Sequence, residues 1–306
     1  MKRFMGLTKR NMLVYFKDKG AIFFSLLTSV IVLVLYLCFL KGTFEDALNS
    51  AINEIPMINQ LIRAEDVDAF INITLLVGMI CSALITVPFN CLQTMVKDRE
   101  NRIDCDICAT PIKRWQIILS YFVSASCCAC IMTGLILTAG LEILGFNGGI
   151  PLSAADAFKA YGMVFIGAVS ATAFFMTFIV FFRSTQSSSA FFGIISAASG
   201  FVIGAYIPIS QFSESVQTVC NLFPASHVTV VVRNILMRGV LENFDRSMGG
   251  LDNGLFTEAI KDSFSFNSMM FGDKLSVGQS LMYVAGVCIV CMIVMTAVYT
   301  KTYKRK

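Results

Sequence analysis

Charge is scarce in this sequence. Only 14% of its 306 residues are charged, against about a quarter in an ordinary soluble domain, so polar side chains are too few to cover a water-facing globule. Histidine is scarcer still: His227 stands alone, which excludes a three-histidine zinc site and an H-E-x-x-H metalloprotease. No glycine is followed directly by lysine. The chain therefore lacks the G-x-x-x-x-G-K-[ST] loop and cannot hold ATP by that route. Its 11 cysteines are about 4% of the residues, below the density of a disulfide scaffold. Ten of them fall in apolar or basic-side segments and read as small hydrophobes; Cys220 falls elsewhere, without an obvious partner.

What the chain has instead is apolar length. Hydrophobic residues make up 56% of it and the mean hydropathy is +0.72. Charge-free runs place six membrane spans at about 20–40, 70–94, 115–141, 160–182, 188–207 and 277–300, each near the ~20 residues that cross a hydrocarbon core. The fold class expected is an all-α integral membrane protein forming one transmembrane domain over 1–306. A seventh charge-free run, Ser215 to Val232, is broken by Pro224 and carries Gln217, Asn221 and His227. It reads as re-entrant, within a segment 208–274 on the far side.

Loop charges set the orientation. With the N-terminus inside, the inner face holds Lys2, Arg3, Lys9, Arg10, Lys17, Lys19, Lys97, Arg99, Arg102, Lys113, Arg114, Arg183, Lys301, Lys304, Arg305 and Lys306, which is 16 of the 24 basic residues. The positive-inside rule then puts both termini in the cytoplasm. Leu37-Cys38-Phe39-Leu40 offers no A-x-A-like cleavage site, so the first span is expected to stay as an anchor.

Two charged segments carry the information. Over 1–19, Phe4, Met5, Leu7, Met12, Val14, Tyr15 and Phe16 share one helical arc, opposite Lys2, Arg3, Lys9, Arg10 and Lys17. That is the pattern of a basic amphipathic helix in the headgroup layer; a generic basic leader has it too. The stretch VKDRENRIDCDICATPIKRW, 96–115, alternates in sign. It reads as a short helix over 97–109 with an Arg102–Asp106 pair at i, i+4 and an apolar stripe of Ile103 and Ile107. Thr110-Pro111 reads as an N-cap and first helical residue opening the third span. Such a helix suits docking into a groove on another protein; a solvated loop is the plainer alternative.

The segment KDRENRIDCDICATPIKRWQIILSY resembles the signature of ABC-2 type transporter permeases, in which a charged short helix ends in (A/S)-(T/S)-P-hydrophobic-x-R. The matching positions are Ala109, Thr110, Pro111, Ile112 and Arg114. KRNMLVYFKDKGAIFFSLL is similar to that family's N-terminal connecting helix. Asn221-Leu222-Phe223-Pro224 followed by Arg233 is similar to its extracellular re-entrant segment. The chain departs from the pattern at Arg102, Ile103 and Asp104, where many members have Gly-Thr-Leu, and in the length of the stretch 239–274.

The resemblance implies the permease subunit of an ATP-driven exporter. It works as a homodimer or heterodimer with separate ABC ATPase subunits that hold ATP and Mg, and there is no cofactor on this chain. Lys9, Arg10, Arg99, Glu100, Arg102, Asp104, Asp106, Thr110 and Pro111 would form the ATPase-coupling face. Ser196, Gly200 and Gly204 place small residues at four-residue intervals, a spacing that lets helices approach closely; the resemblance puts them near the dimer interface. Phe191 and Phe201 are candidates for a substrate path taking a drug, lipid or peptide. The lipid bilayer is the other partner, in a bacterial cytoplasmic membrane, and no nucleic acid is expected.

Other constellations are weak. Two thiols at Cys105-x-x-Cys108 do not close a tetrahedral metal site. Glu142 lies about 40 Å along its helix from Trp115, past the hydrocarbon, so a proton relay is not its expected role. An ion- or proton-coupled secondary carrier would need charges near the bilayer midplane and internal repeats, and the sequence offers neither. A membrane scaffold or immunity protein would share the composition but has no need of a charged docking helix.

Overall fold

The computed structural model describes residues 2–53, 62–146, 151–249 and 254–302. Helix α1 (Lys2–Lys17) turns at Asp18 into α2 (Lys19–Leu35), which continues through a π-helical turn, Tyr36–Leu40, into α3 (Lys41–Asn53). Then come α4 (Ala64–Glu100), α5 (Ile103–Ala109), α6 (Arg114–Phe146), α7 (Ala154–Ile179) and α8 (Thr185–Val202). The remainder holds α9 (Glu214–Asn221), α10 (Pro224–Leu236), α11 (Arg238–Met248), α12 (Leu255–Ser263), a hairpin of β1 (Ser268–Met270) and β2 (Asp273–Leu275), and α13 (Val277–Thr302). The hairpin pairs Ser268 with Leu275 and Met270 with Asp273. It is the one element outside the all-α expectation among the described residues.

Helix α4 is the axis of the bundle. Its 37 residues rise about 55 Å, and α2, α6, α7, α8 and α10 all pack on it. Of its most apolar window 89% is buried, against 11% for α13, so α4 is shielded by protein while α13 keeps most of its apolar surface outward. Local chemistry sets the helix starts. Asp18 accepts from the Ala21 amide at 3.0 Å to cap α2, and Ser153 accepts from Asp156 at 3.1 Å to cap α7. Pro224 sits in the first turn of α10, where its missing N–H costs nothing.

Among the described residues, five helices are long and apolar enough to cross a membrane: Lys19–Asp46, Ala64–Glu100, Arg114–Gly145, Ala154–Ile179 and Val277–Tyr299. The pair α9–α10 would be a sixth if taken as one span, and it bends by 94° where the Pro224 break predicts a re-entrant segment. The expected span at 188–207 falls on α8, which is outside those five. α8 has 18 residues, about 27 Å of rise, and its opening Thr-Gln-Ser-Ser-Ser dilutes its hydropathy. It stops at Val202 because Gly204 takes a left-handed φ of +68°, a conformation glycine adopts without a Cβ clash.

The stretch 239–274 packs down onto the end of α4 far from α5. Phe70 of α4 meets Phe264 at 5.0 Å and Phe244 of α11 at 6.1 Å, and Phe44 of α3 meets Phe264 at 5.9 Å. Arg233 of α10 is 3% exposed and pins this segment from below. Its guanidinium donates to the carbonyls of Phe264 at 2.8 Å, Ser265 at 2.7 Å and Gly204 at 3.3 Å.

Candidate functional site

At the basic end of the bundle, four successive residues of α4 each hold a different element. Lys97 pairs with Asp18 at the α1–α2 elbow. Asp98, 3% exposed, takes both guanidinium nitrogens of Arg10 on α1, Nη2 to Oδ1 at 2.7 Å, and the hydroxyl of Tyr121 on α6. Arg99 donates to the carbonyls of Val180 and Phe182, both at 2.7 Å, which closes the C-terminal end of α7. Glu100 accepts from the Thr185 amide at 3.1 Å and its hydroxyl at 2.6 Å, so it occupies the orphan donors at the start of α8. One turn of one helix thus fastens α1, α2, α6, α7 and α8.

The electrostatics follow from these contacts. Asp98 raises the Arg10 guanidinium above its ordinary value by hydrogen bonding, against some loss from burial. The Lys97 ammonium, and then the Ala21 amide, hold the Asp18 carboxyl below its ordinary value. A buried carboxylate that keeps an arginine and a tyrosine hydroxyl is satisfied on both oxygens, the condition under which burying a charge is tolerated.

Beyond this turn the chain breaks. Arg102 takes a left-handed backbone, φ 58°, at the start of α5. The short helix expected over 97–109 is therefore two pieces: 97–100 ends α4, and a seven-residue α5 follows. Because Arg102 lies outside the helix, it makes no ion pair with Asp106, and both side chains are exposed. Thr110 ends α5, its hydroxyl donating to the Ile107 carbonyl at 2.6 Å, so it is not the N-cap of the next helix. Pro111 is in the link, where its carbonyl accepts from Arg3 at 3.3 Å. α6 begins at Arg114, with Gln116 Oε1 accepting from the Lys113 amide at 3.2 Å, half of a capping box.

The coupling residues expected from sequence therefore fall into two sets. Arg10, Arg99 and Glu100 are spent on the chain's own helices, and Asp104 is half-buried and engaged within the chain. Lys9, Arg102, Asp106, Thr110 and Pro111 are exposed, together with Ile103 at 36% and Cys105. The Ile103–Ile107 stripe is split, since Ile107 and Cys108 turn toward the core. What remains outward is a small face of mixed charge around one isoleucine.

The small-residue stripe does not form one helix face. Ser196 lies within hydrogen-bond distance of Thr28 on α2, 3.2 Å. Gly200 is covered by the Tyr206 ring, which a Cβ would approach to 2.1 Å. Gly204 is past the end of α8. Phe191 belongs to an aromatic cluster with Phe89 at 5.8 Å, Phe182 at 5.4 Å and Phe178 at 6.0 Å. Phe201 is separate, 46% exposed and edge-on to Tyr206 at 5.2 Å. No group of three metal-ligating side chains occurs among the described residues, and Cys105, Cys108 and Cys220 are free thiols. His227 is buried, with Nε2 on the Asn221 carbonyl at 2.8 Å and its ring 4.4 Å from Tyr283.

Asp98 and Tyr121 are the site residues that sequence reasoning missed. A signal was present: the buried face of α4 runs through Cys91, Thr94 and Met95, and the same spacing puts Asp98 on it. The alternation of charge around it reads as solvation only when that face is ignored. Compared with known proteins, the family model for ABC-2 family transporter protein matches residues 40–297, well over half of the chain. No curated protein and no solved structure matches it.

Proposed function

Since the chain belongs to the ABC-2 transporter family, we propose that it is the permease subunit of an ATP-driven exporter, with ATP and Mg held by separate ABC ATPase subunits docked at the basic end. The observation that supports this reading is the turn 97–100. A displacement applied to α5 reaches α4 across a two-residue break, and each side chain of that turn passes it to another helix. Through Arg10, Tyr121, Arg99 and Glu100 the ends of α1, α6, α7 and α8 move as a group. A lever of this kind suits alternating access, in which nucleotide binding favours one arrangement of the spans over another.

In this reading the basic end faces the cytoplasm, as its lysines and arginines favour. Arg102, Ile103, Asp106 and Thr110 form the contact with the ATPase, and Lys9 flanks it. A second permease, a copy of this chain or a related one, closes against α8, whose Ile194 is 69% and Phe201 46% exposed. The aromatic cluster around Phe191 and that open face suit a hydrophobic or amphipathic cargo.

Reversing the charge of the face tests this. Arg102→Glu with Asp106→Lys leaves every bond of the 97–100 turn intact, so the chain inserts and folds normally. Cargo-stimulated ATP hydrolysis by the assembled complex is then expected to fall at least about tenfold, the size of one lost charge-assisted contact. Unchanged stimulation refutes the assigned face.

A further inference from the structure

At the end of the bundle opposite α5, a partly open cavity of about 170 Å³ has walls from the segment after α8, α9, α10, α12 and the hairpin. That is smaller than the 300–1,000 Å³ of a drug-sized pocket, and it suits a molecule of amino-acid size. Its lining mixes apolar side chains, Ile209, Val230 and Met269, with polar ones that are unevenly satisfied. Lys274 at the rim is neutralised by Asp262, with Nζ 2.8 Å from each carboxylate oxygen. Lys261 is half-buried and has no ion-pair partner among the described residues, so the cavity carries one uncompensated positive charge.

One amide oxygen on the wall is an acceptor in waiting. Asn221, 1% exposed, braces the wall: its Nδ2 donates to the Met269 carbonyl at 2.7 Å. Gln217 spends its Nε2 on the Phe212 carbonyl at 2.7 Å, leaving Oε1 unused within the described chain. A lone cation beside an unfilled acceptor asks for a ligand that carries an anionic group and an N–H donor together.

The walls are also held rigidly. Ser265, a non-glycine residue at φ 57°, is fixed there by Arg233 on its carbonyl and by its Oγ, which accepts from the Ser210 amide at 2.8 Å. A residue kept in a sparsely populated backbone region beside a cavity is characteristic of a preorganised site.

We propose that this cavity binds an α-carboxylate whose adjacent carbon bears an N–H, as in a free amino acid or the C-terminal residue of a peptide, with Lys261 taking the carboxylate and the Gln217 Oε1 taking the N–H. The site is built by residues 261–274 together with the segment after α8, α9 and α10, and it is independent of which partner works at the basic end.

The purified full chain in lipid nanodiscs, titrated calorimetrically with each of the common L-amino acids up to about 10 mM, tests it. Saturable binding of at least one is expected, weakened at least about tenfold by converting its carboxylate to the amide or by Lys261→Gln, a loss typical of a charge-assisted bond. Lys261 is half-exposed, so Lys261→Gln folds with an unchanged melting temperature, and Lys113→Gln at the other end serves as the control that binds normally. A tripeptide ending in the preferred residue identifies the source. If it binds better than the free amino acid the ligand is a peptide terminus, and if worse, a free amino acid. No binding by any amino acid or peptide acid, binding equal to that of plain acetate, or undiminished binding in Lys261→Gln overturns the proposal.

Discussion

Asp98 and Arg10, 88 positions apart in sequence, meet in a two-pronged ion pair where α4 reaches the basic end of the bundle. The two sides are not equivalent. Asp98 is 4% exposed as a side chain and Arg10 33%. Removing the arginine strands a buried carboxylate, while removing the carboxylate leaves a guanidinium that water still reaches. Arg10→Met is therefore expected to cost about 3–5 kcal/mol and Asp98→Asn about 1–2 kcal/mol. The double variant should be milder than the sum of the two, because the pair is coupled. Chemical unfolding of the four chains in detergent measures all of these terms, and equal costs for the two single variants would contradict the burial asymmetry.

Glu100 caps a helix that is not its own. Glu100→Ala leaves the Thr185 amide and hydroxyl without their acceptor and is expected to loosen the first turn of α8. Glu100→Gln keeps an acceptor but loses the charge at the helix start and is expected to loosen that turn less. Hydrogen exchange by mass spectrometry should show faster exchange over residues 185–190 in both variants. Protection over α4 should be unchanged.

Two glycines make opposite predictions. A Cβ on Gly239 would lie 1.7 Å from the Pro151 carbonyl oxygen, whereas one on Gly193 would meet nothing within 4 Å. Gly239→Ala forces backbone apart and is expected to destabilise by about 3 kcal/mol or more. Gly193→Ala, inside α8, is expected to stabilise by up to about 1 kcal/mol. Thermal unfolding of the two purified variants checks the contrast.

The elbow between α1 and α2 carries a pH dependence of known sign. Asp18 has its folded value depressed below the ordinary 3.8, chiefly by Lys97. Its contribution to stability is therefore complete above that ordinary value and is lost as pH falls through the depressed one. The difference in melting temperature between the natural chain and Asp18→Asn should be constant from about pH 7 to pH 5 and shrink toward zero below about pH 4. A difference that grew on acidification would reverse the assignment.

The helical membrane character was legible because charge-free runs and loop charges report directly on a bilayer. Helix ends were less so. The first charge-free run predicts an end at 40, yet the helix continues through a π turn to Asn53, since charges such as Lys41 and Glu45 mark the edge of hydrocarbon and not the edge of a helix. At the site, the alternating charge pattern was consistent with the exposure of Arg102 and Asp106 but not with the absence of an ion pair between them, because Arg102 lies outside the helix. Asp98 was hidden, because an acid flanked by Lys97 and Arg99 looks solvated until α1 and α6 are seen to cover it. The role of Gly204 as a helix stop was equally invisible, as a four-residue spacing of small residues carries no information on backbone φ.

Cys105 is exposed on α5, in the middle of the face assigned to the ATPase, and its thiol allows the most direct test. A photoactivatable maleimide placed on Cys105 in native membranes, irradiated and mapped by mass spectrometry, reports what touches that face. Cross-links to a chain containing a P-loop, lost in Arg102→Glu with Asp106→Lys, are the expected result. Full labelling of Cys105 with cross-links only to lipid or to this chain itself would contradict an ATPase docked at α5.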